Sequence, residues 1–262
     1  MAQCTSNRQN TASCAMSIFP YTLAEIEPTR IAVIVLQSDE TIERDMIALR
    51  GDADLFFTRV PSSQEVNNAT LQSMADHITA SASLLPETIN FEAVGYGCTS
   101  GTAQIGVDEI HRLVSEGTKT AHVSEPVSAL IAACKQLRLK RLAFLSPYTE
   151  SVSANLRKVL AKNGVESPEF GTFAEAEEAK VVRISSQSVI EAAQQLCKSG
   201  NVDGIFLSCT NLRTLDLIEP LEASTNLPVI SSNLALAWHL GKLSGVSDAM
   251  VGPGRLFSST HN

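Results

Sequence analysis

The chain has 262 residues, 44% of them hydrophobic and 18% charged, enough to bury one large core or two smaller ones of roughly 100 to 150 residues each. Its 20 basic and 28 acidic residues give a formal net charge of −8, and no run of Lys and Arg is available to neutralise phosphates, which argues against nucleic acid and anionic membrane partners. Apolar stretches such as Ile31 to Leu36 are strand-length and far short of the ~20 residues of a bilayer span, so no membrane segment is expected.

Residues 1–28 are rich in Ser, Thr, Asn and Gln and lack the basic start and apolar run of a signal peptide. They read as a flexible N-terminal tail, with Met16 as an alternative start. Strand-like apolar runs then recur at Ile31 to Leu36, Leu55 to Val60, Ala93 to Tyr96, Leu142 to Leu145, Gly204 to Leu207 and Pro228 to Ile230. Helical stripes lie between them. Leu71, Met74, Ile78 and Ala82 form one, and Val152, Leu156, Val159 and Leu160 another that ends at Gly164 as a C-cap. Strands alternating with helices predict an α/β protein with mostly parallel sheets covered on both faces.

The chain also resembles itself. Arg30-Ile-Ala-Val-Ile-Val and Arg141-Leu-Ala-Phe-Leu-Ser are offset by 111 residues, and so are Cys98 in Gly-Cys-Thr-Ser and Cys209 in Ser-Cys-Thr-Asn. Val123-Ser-Glu-Pro and Ile230-Ser-Ser-Asn follow at 107. This predicts two similar Rossmann-like, flavodoxin-like lobes related by a pseudo-twofold axis. Residues 29–137 with 234–262 would make the first lobe and 138–233 the second. Ligands in such sheets collect beyond the C-terminal ends of the strands, where both cysteines stand. The axis would set the two thiols on opposite sides of one ligand.

Cys4, Cys14, Cys98, Cys134, Cys197 and Cys209 contain no CxxC and no disulfide framework, which suits a reducing cytoplasm. Cys134 and Cys197, on apolar helical faces, read as small buried hydrophobes. Cys98 and Cys209 differ, because each closes a strand and is followed by hydroxyl and amide residues. Racemising a small acid means removing a proton from carbon on one face and delivering one on the other. A free thiol is only about 3% thiolate at pH 7, and a helix N-terminus raises that fraction. A thiolate facing a thiol is then a matched base and acid for both directions. Thr99, Ser100, Thr210 and Asn211 are placed to donate hydrogen bonds to the charge that develops on a carboxylate, or else simply cap turns.

Gly97-Cys98-Thr99-Ser100-Gly101-Thr102 and Ser208-Cys209-Thr210-Asn211-Leu212-Arg213-Thr214-Leu215-Asp216 resemble the two cysteine loops of the aspartate/glutamate racemase superfamily. The similarity is greatest to the branch holding maleate cis-trans isomerase, arylmalonate decarboxylase and the ectoine-utilisation racemase-like proteins. It runs over about residues 29–258 and takes in Ser146-Pro147-Tyr148, Val229-Ile230-Ser231-Ser232-Asn233 and Gly252-Pro253-Gly254-Arg255-Leu256-Phe257. The resemblance implies a two-lobe fold, no cofactor or metal, and a dioxyanion hole of Thr99, Ser100, Tyr148 and the amides after Cys209. The decarboxylases have glycine where Cys98 stands, which argues for proton traffic on both faces here. Maleate isomerases place an asparagine in the first loop, where this chain has Leu36-Gln37-Ser38-Asp39-Glu40-Thr41. Amino-acid racemases of the superfamily carry an aspartate there. Ser38 and Asp39 are therefore candidates to hold substrate, with Asp39 meeting an ammonium, holding Cys98 in its reactive state, or capping the helix of Ile42, Met46 and Leu49. Cys-Thr-Asn-Leu-Arg-Thr-Leu-Asp and Ser-Ser-Asn-Leu-Ala-Leu-Ala-Trp-His resemble the ectoine-utilisation members most, which implies a racemase of an acylated diamino acid. Maleate isomerisation, arylmalonate-type decarboxylation and a non-catalytic carboxylate-binding role are the alternatives.

Other constellations are weak. Gly95, Gly97 and Gly101 do not make GxGxxG, and neither a P-loop nor GxSxG occurs. His77, His111 and His122 lack metal-ligand spacing, and His239 beside Trp238 reads as core or rim of a C-terminal helix. The acidic run Glu175 to Glu178 reads as a solvated loop. A homo-oligomer is compatible with the sequence.

Overall fold

The computed structural model describes residues 16–24, 28–246 and 248–259. Of the expected tail, 16–24 carry no helix or strand and are exposed, while 1–15 and 25–27, with Cys4 and Cys14, lie outside the described residues. In the first half of the chain β1 (Arg30–Leu36), β2 (Asp54–Val60), β3 (Phe91–Gly97) and β4 (Thr120–Ser124) alternate with helices. These helices are α1 (Ile42–Ala48), α2 (Asn68–Ser73), α3 (Ala75–Ala82), α4 (Thr99–Ile105), α5 (Val107–Gly117) and α6 (Pro126–Leu137). The second half repeats the scheme with β5 (Arg141–Tyr148), α7 (Glu150–Lys162), β6 (Glu166–Glu175), α8 (Glu178–Val181), α9 (Ser186–Leu196), β7 (Gly204–Leu207), α10 (Ile218–Thr225) and β8 (Val229–Ser231). Helices α11 (Ser232–Leu243) and α12 (Gly254–Ser258) end it.

Each half folds into a four-stranded parallel sheet, and the two have the same order, β2-β1-β3-β4 and β6-β5-β7-β8. The paired landmarks occupy equivalent places: β1 matches β5, the ends of β3 and β7 carry the cysteines, and β4–α6 matches β8–α11. Central strands such as β1 after Arg30 and the whole of β7 are buried because helices cover both faces of each sheet, as continuous apolar runs require. The helices that follow the fourth strands, α6 and α11, pack on each other, and α11 also packs on β3, so the halves share one buried boundary. Among the described residues no helix is long and apolar enough to cross a membrane.

Two strands escaped the periodicity. β4 and β6 are sheet edges whose faces are partly exposed, so Thr120, His122, Glu166 and Glu169 stand where a central strand would need apolar side chains. The stripe Leu71, Met74, Ile78 and Ala82 is buried but divided, with α2 ending and α3 starting at Met74. Cys134 is fully buried on α6, whereas Cys197, expected in an apolar face, is half-buried in a 3-10 turn at the end of α9.

Candidate active site

Cys98 caps α4. Its backbone is extended, its carbonyl accepts from the Thr102 hydroxyl at 2.7 Å, and its sulfur accepts the Gly101 N–H at 3.2 Å. Glycine is required at 101, since a Cβ there would sit 2.8 Å from that sulfur. Cys209 follows β7 with φ of +99°, a conformation that costs a residue with a Cβ on the order of 1–3 kcal/mol. The surroundings hold it there. The Cys209 amide donates to Ser232 Oγ at 3.0 Å, the Asn211 N–H donates to Cys209 Sγ at 3.3 Å, and the Tyr148 hydroxyl meets the same sulfur at 3.0 Å.

The two loops abut. Thr210 Oγ1 donates to the Gly97 carbonyl at 3.3 Å, so the residue after one cysteine bonds the residue before the other. Thr99 Oγ1 donates at 2.8 Å to Ser232 Oγ, the oxygen that also receives the Cys209 amide. Asn211 reaches the β1–α1 loop, accepting Glu40 N–H on Oδ1 at 2.9 Å and the Thr41 hydroxyl on its carbonyl at 2.9 Å. Asn233 Nδ2 donates to the Thr210 carbonyl and to Asp45 Oδ2, both at 2.8 Å. Every one of these side chains except Glu40 is buried.

Asp39 fills the capping role that the sequence left open. Oδ1 accepts the N–H groups of Thr41 at 2.7 Å and Ile42 at 2.8 Å and so caps α1, while Oδ2 is buried without a hydrogen-bond partner among the described residues. Burial pushes the Asp39 carboxyl above the usual range, against the Thr41 and Ile42 amides, the Thr210 hydroxyl dipole and Arg59. Ser38 is buried beside it but is tied to Ser62, hydroxyl to hydroxyl at 3.0 Å. Ser100 is buried at the start of α4, and its backbone N–H eases ionisation of Cys98.

Glu178 corrects the reading of residues 175–178 as a solvated run. Glu175 and Glu177 do face solvent and Lys180, but Glu178 is only 3% exposed, because Gln64 holds its N–H and Glu65 bridges Glu177 from the other half of the chain. Its carboxylate accepts the Tyr148 hydroxyl at 2.7 Å and Asn211 Nδ2 at 2.8 Å. Tyr148 is therefore engaged by Glu178 and Cys209 at once. Ser232 and Asn233 were also missed as site residues. Their signal lay in the Val229 to Asn233 motif.

Burial dominates the ionisation of the thiols. It pushes Cys98 up to about 12, opposed by the Gly101 N–H and reinforced by the charges of Glu178 and Asp39. Cys209 is driven well above the ordinary thiol value by burial first, with Glu178 and Asp39 adding and Tyr148 and the Asn211 amide opposing. Burial thus favours the thiol form of both sulfurs. The same burial raises Glu178, against Asn211 and Tyr148.

Asp45, under Asn233, is pushed by burial from 3.8 to about 6. A raised carboxyl means the fold prefers the protonated form, so this contribution to stability is complete below the unfolded value and is lost as pH rises through about 6. Asp45→Asn is therefore expected to raise stability near pH 8 by up to about 3 kcal/mol, and by nothing at about pH 3. Thermal melts of both proteins at the two pH values check this.

Residues 64–257 match the arylmalonate decarboxylase family. The chain is 27% identical over 246 residues to a maleate isomerase of Nocardia farcinica, covering 87% of this chain and 94% of that protein. A maleate isomerase of Pseudomonas putida crystallised with maleate superposes with a TM-score of 0.79 at 20% identity, covering 88% of this chain and 98% of that one. The Nocardia farcinica maleate cis-trans isomerase carrying a covalently bound succinylcysteine superposes with a TM-score of 0.76 at 23% identity, over 87% of this chain and 98% of that one. Two parallel sheets of one topology, cysteine loops meeting between them and a family match over most of the length lead to one assignment: the chain belongs to the arylmalonate decarboxylase family, a branch of the aspartate/glutamate racemase superfamily.

Proposed function

We propose that the protein is a cofactor-independent isomerase that moves a proton at the α-carbon of a small carboxylate, with Cys98 and Cys209 as base and acid on opposite faces. The carrying observation is the pair of buried thiols on abutting loops, each with a backbone N–H aimed at its sulfur. In the proposed division of labour, residues 29–137 with 234–262 form one wall of the site and 138–233 the other. The substrate carboxylate lies against the backbone N–H groups that open α4 and follow Cys209. The hydroxyls of Thr99 and Thr210 and the side chain of Asn211 hold the loops together instead, since they are already bonded to Ser232, Gly97, Glu40 and Glu178.

The substrate we favour is an amino acid or an N-acylated diamino acid. A dianion such as maleate would add two negative charges to a site that already buries Asp39 and Glu178, whereas an ammonium facing Asp39 Oδ2 would offset one and ease thiolate formation. Maleate isomerisation is the second reading, favoured by the relatives that span nearly this whole chain. There a cysteine adds to the double bond and the carbon–carbon bond rotates. Amino acids, N-acylated diamino acids, maleate and arylmalonates incubated with the protein in deuterium oxide and followed by NMR separate the readings. Deuterium entering the α-position together with loss of optical purity is expected. Fumarate from maleate would transfer the assignment to the second reading, and ligand-induced thermal stabilisation without any exchange would make this a binding protein.

A further inference from the structure

Cys209, Tyr148 and Glu178 form a continuous buried chain. The sulfur lies 3.0 Å from the phenol oxygen, and that oxygen lies 2.7 Å from Glu178 Oε1. The phenol has one proton to give and can donate it to only one neighbour at a time. When it donates to the Glu178 carboxylate, its oxygen accepts from the Cys209 thiol. When it donates to a Cys209 thiolate, its oxygen must accept from a protonated Glu178. Among the described residues no cation faces this triad: Asp39 and Cys98 are the other ionisable groups that interact with it, Arg59 faces Asp39, and Lys180 lies out in solvent on Glu177. Two negative charges within so small a dry volume are costly, and one is tolerated.

We propose that Glu178 is the proton store of Cys209, taking the thiol proton through the Tyr148 hydroxyl so that the three groups share a single negative charge. The S–H bond breaks and leaves its electron pair on sulfur, and the proton binds the phenol oxygen. The phenol O–H bond breaks in the same exchange, and its proton forms the O–H bond at Oε1. No atom is gained or lost and nothing is oxidised. Asn211 Nδ2, donating at 2.8 Å to Oε2, keeps Oε1 turned toward the phenol. Glu178 is a positioning residue in this scheme, since it touches Tyr148 and not the sulfur. The inference rests on the two-cysteine reading of the site, and it gives that reading a source of thiolate that solvent does not supply.

Its signature is the pH profile of Cys209 reactivity. A lone thiol reacts about tenfold faster for each pH unit until it is ionised. A thiol sharing one charge with a carboxyl rises in this way only until the carboxyl has titrated, and then holds a plateau, because the thiolate fraction inside the singly charged triad no longer depends on pH. Methyl methanethiosulfonate, small and uncharged, can be used with peptide mass spectrometry to read each cysteine separately across pH 5 to 10. The wild type is expected to show the plateau at Cys209. Glu178→Gln is expected to climb tenfold per pH unit with none, as an amide stores no proton. Tyr148→Phe is expected to keep the plateau at about tenfold lower height, having lost a hydrogen bond to a charged sulfur. A neighbour that stayed ionised across this whole pH range and merely repelled the thiolate would shift the rate in Glu178→Gln without changing the shape. A wild type without a plateau, Glu178→Gln with one, or Tyr148→Phe identical to wild type overturns the proposal. Failure of Cys209 to react at any pH would instead remove the two-cysteine reading of the site on which it stands.

Discussion

Cys98→Ser and Cys209→Ser are each expected to reduce turnover by about 10³-fold or more while the protein melts within a few degrees of the wild type. The loss is large because a hydroxyl in place of a thiol is a far weaker acid, and neither partner can then supply the missing base on its face. The fold survives because each sulfur already accepts a backbone N–H that a serine oxygen also accepts, which limits the cost to about 1–3 kcal/mol. The informative measurement is isotopic. With one thiol left, deuterium enters the α-position of one enantiomer only, and the two variants choose opposite enantiomers. Polarimetry and NMR on both variants check it. Undiminished racemisation in both would refute two-sided chemistry, and washout from the same enantiomer in both would refute opposed faces.

Asp39→Asn is expected to lower kcat/KM for ammonium-bearing substrates by about 10²- to 10³-fold or more and to raise the melting temperature at the same time. The substitution is isosteric and keeps Oδ1 on the Thr41 and Ile42 amides, so the cap of α1 is preserved. What disappears is the charge on the side of Oδ2, and an ammonium left buried without its counter-ion costs about 3–5 kcal/mol. The stability change runs the other way. Because burial raises the folded Asp39 carboxyl, its contribution is complete below the unfolded value and is lost as pH rises through the raised one. The asparagine is then the more stable near pH 8 and level with the wild type at about pH 3. Steady-state kinetics with a charged substrate and its N-acylated analogue, beside melts at both pH values, test the pair of effects. A uniform loss on both substrates would mean that Asp39 acts on Cys98 and Cys209 rather than on an ammonium, and faster turnover of maleate would mark the site as one for dianions.

The parts of this molecule legible in the sequence are those in which one local rule acts alone. β1, β3, β5 and β7 are buried on both faces and so spell apolar runs, and the offset of 111 links β1 with β5 and Cys98 with Cys209 because the two halves share one topology. The edge strands β4 and β6 face water on one side and lose that spelling. Glu178 was illegible for a different reason. Its neighbours Glu175 and Glu177 are solvated, and nothing local distinguishes it from them. Its burial is imposed by Gln64 and Glu65, far away in the chain, and by Tyr148 and Asn211 at the ends of two other segments. Asp39 shows a third case, where local capping was legible but the idle second oxygen was not. Ser232 and Asn233 stood inside a matched motif, yet only the packing of α11 between the halves explains why a hydroxyl and an amide are wanted there.

The left-handed backbone at residue 209 sets heat tolerance and turnover against each other at a single codon. Glycine adopts φ of +99° freely, so Cys209→Gly relieves the conformational cost even as it deletes the reactive sulfur. Glycine there would also leave the Asn211 N–H without its acceptor, so a library selected only for survival on heating would tolerate glycine at this position, and selection for product formation would purge it.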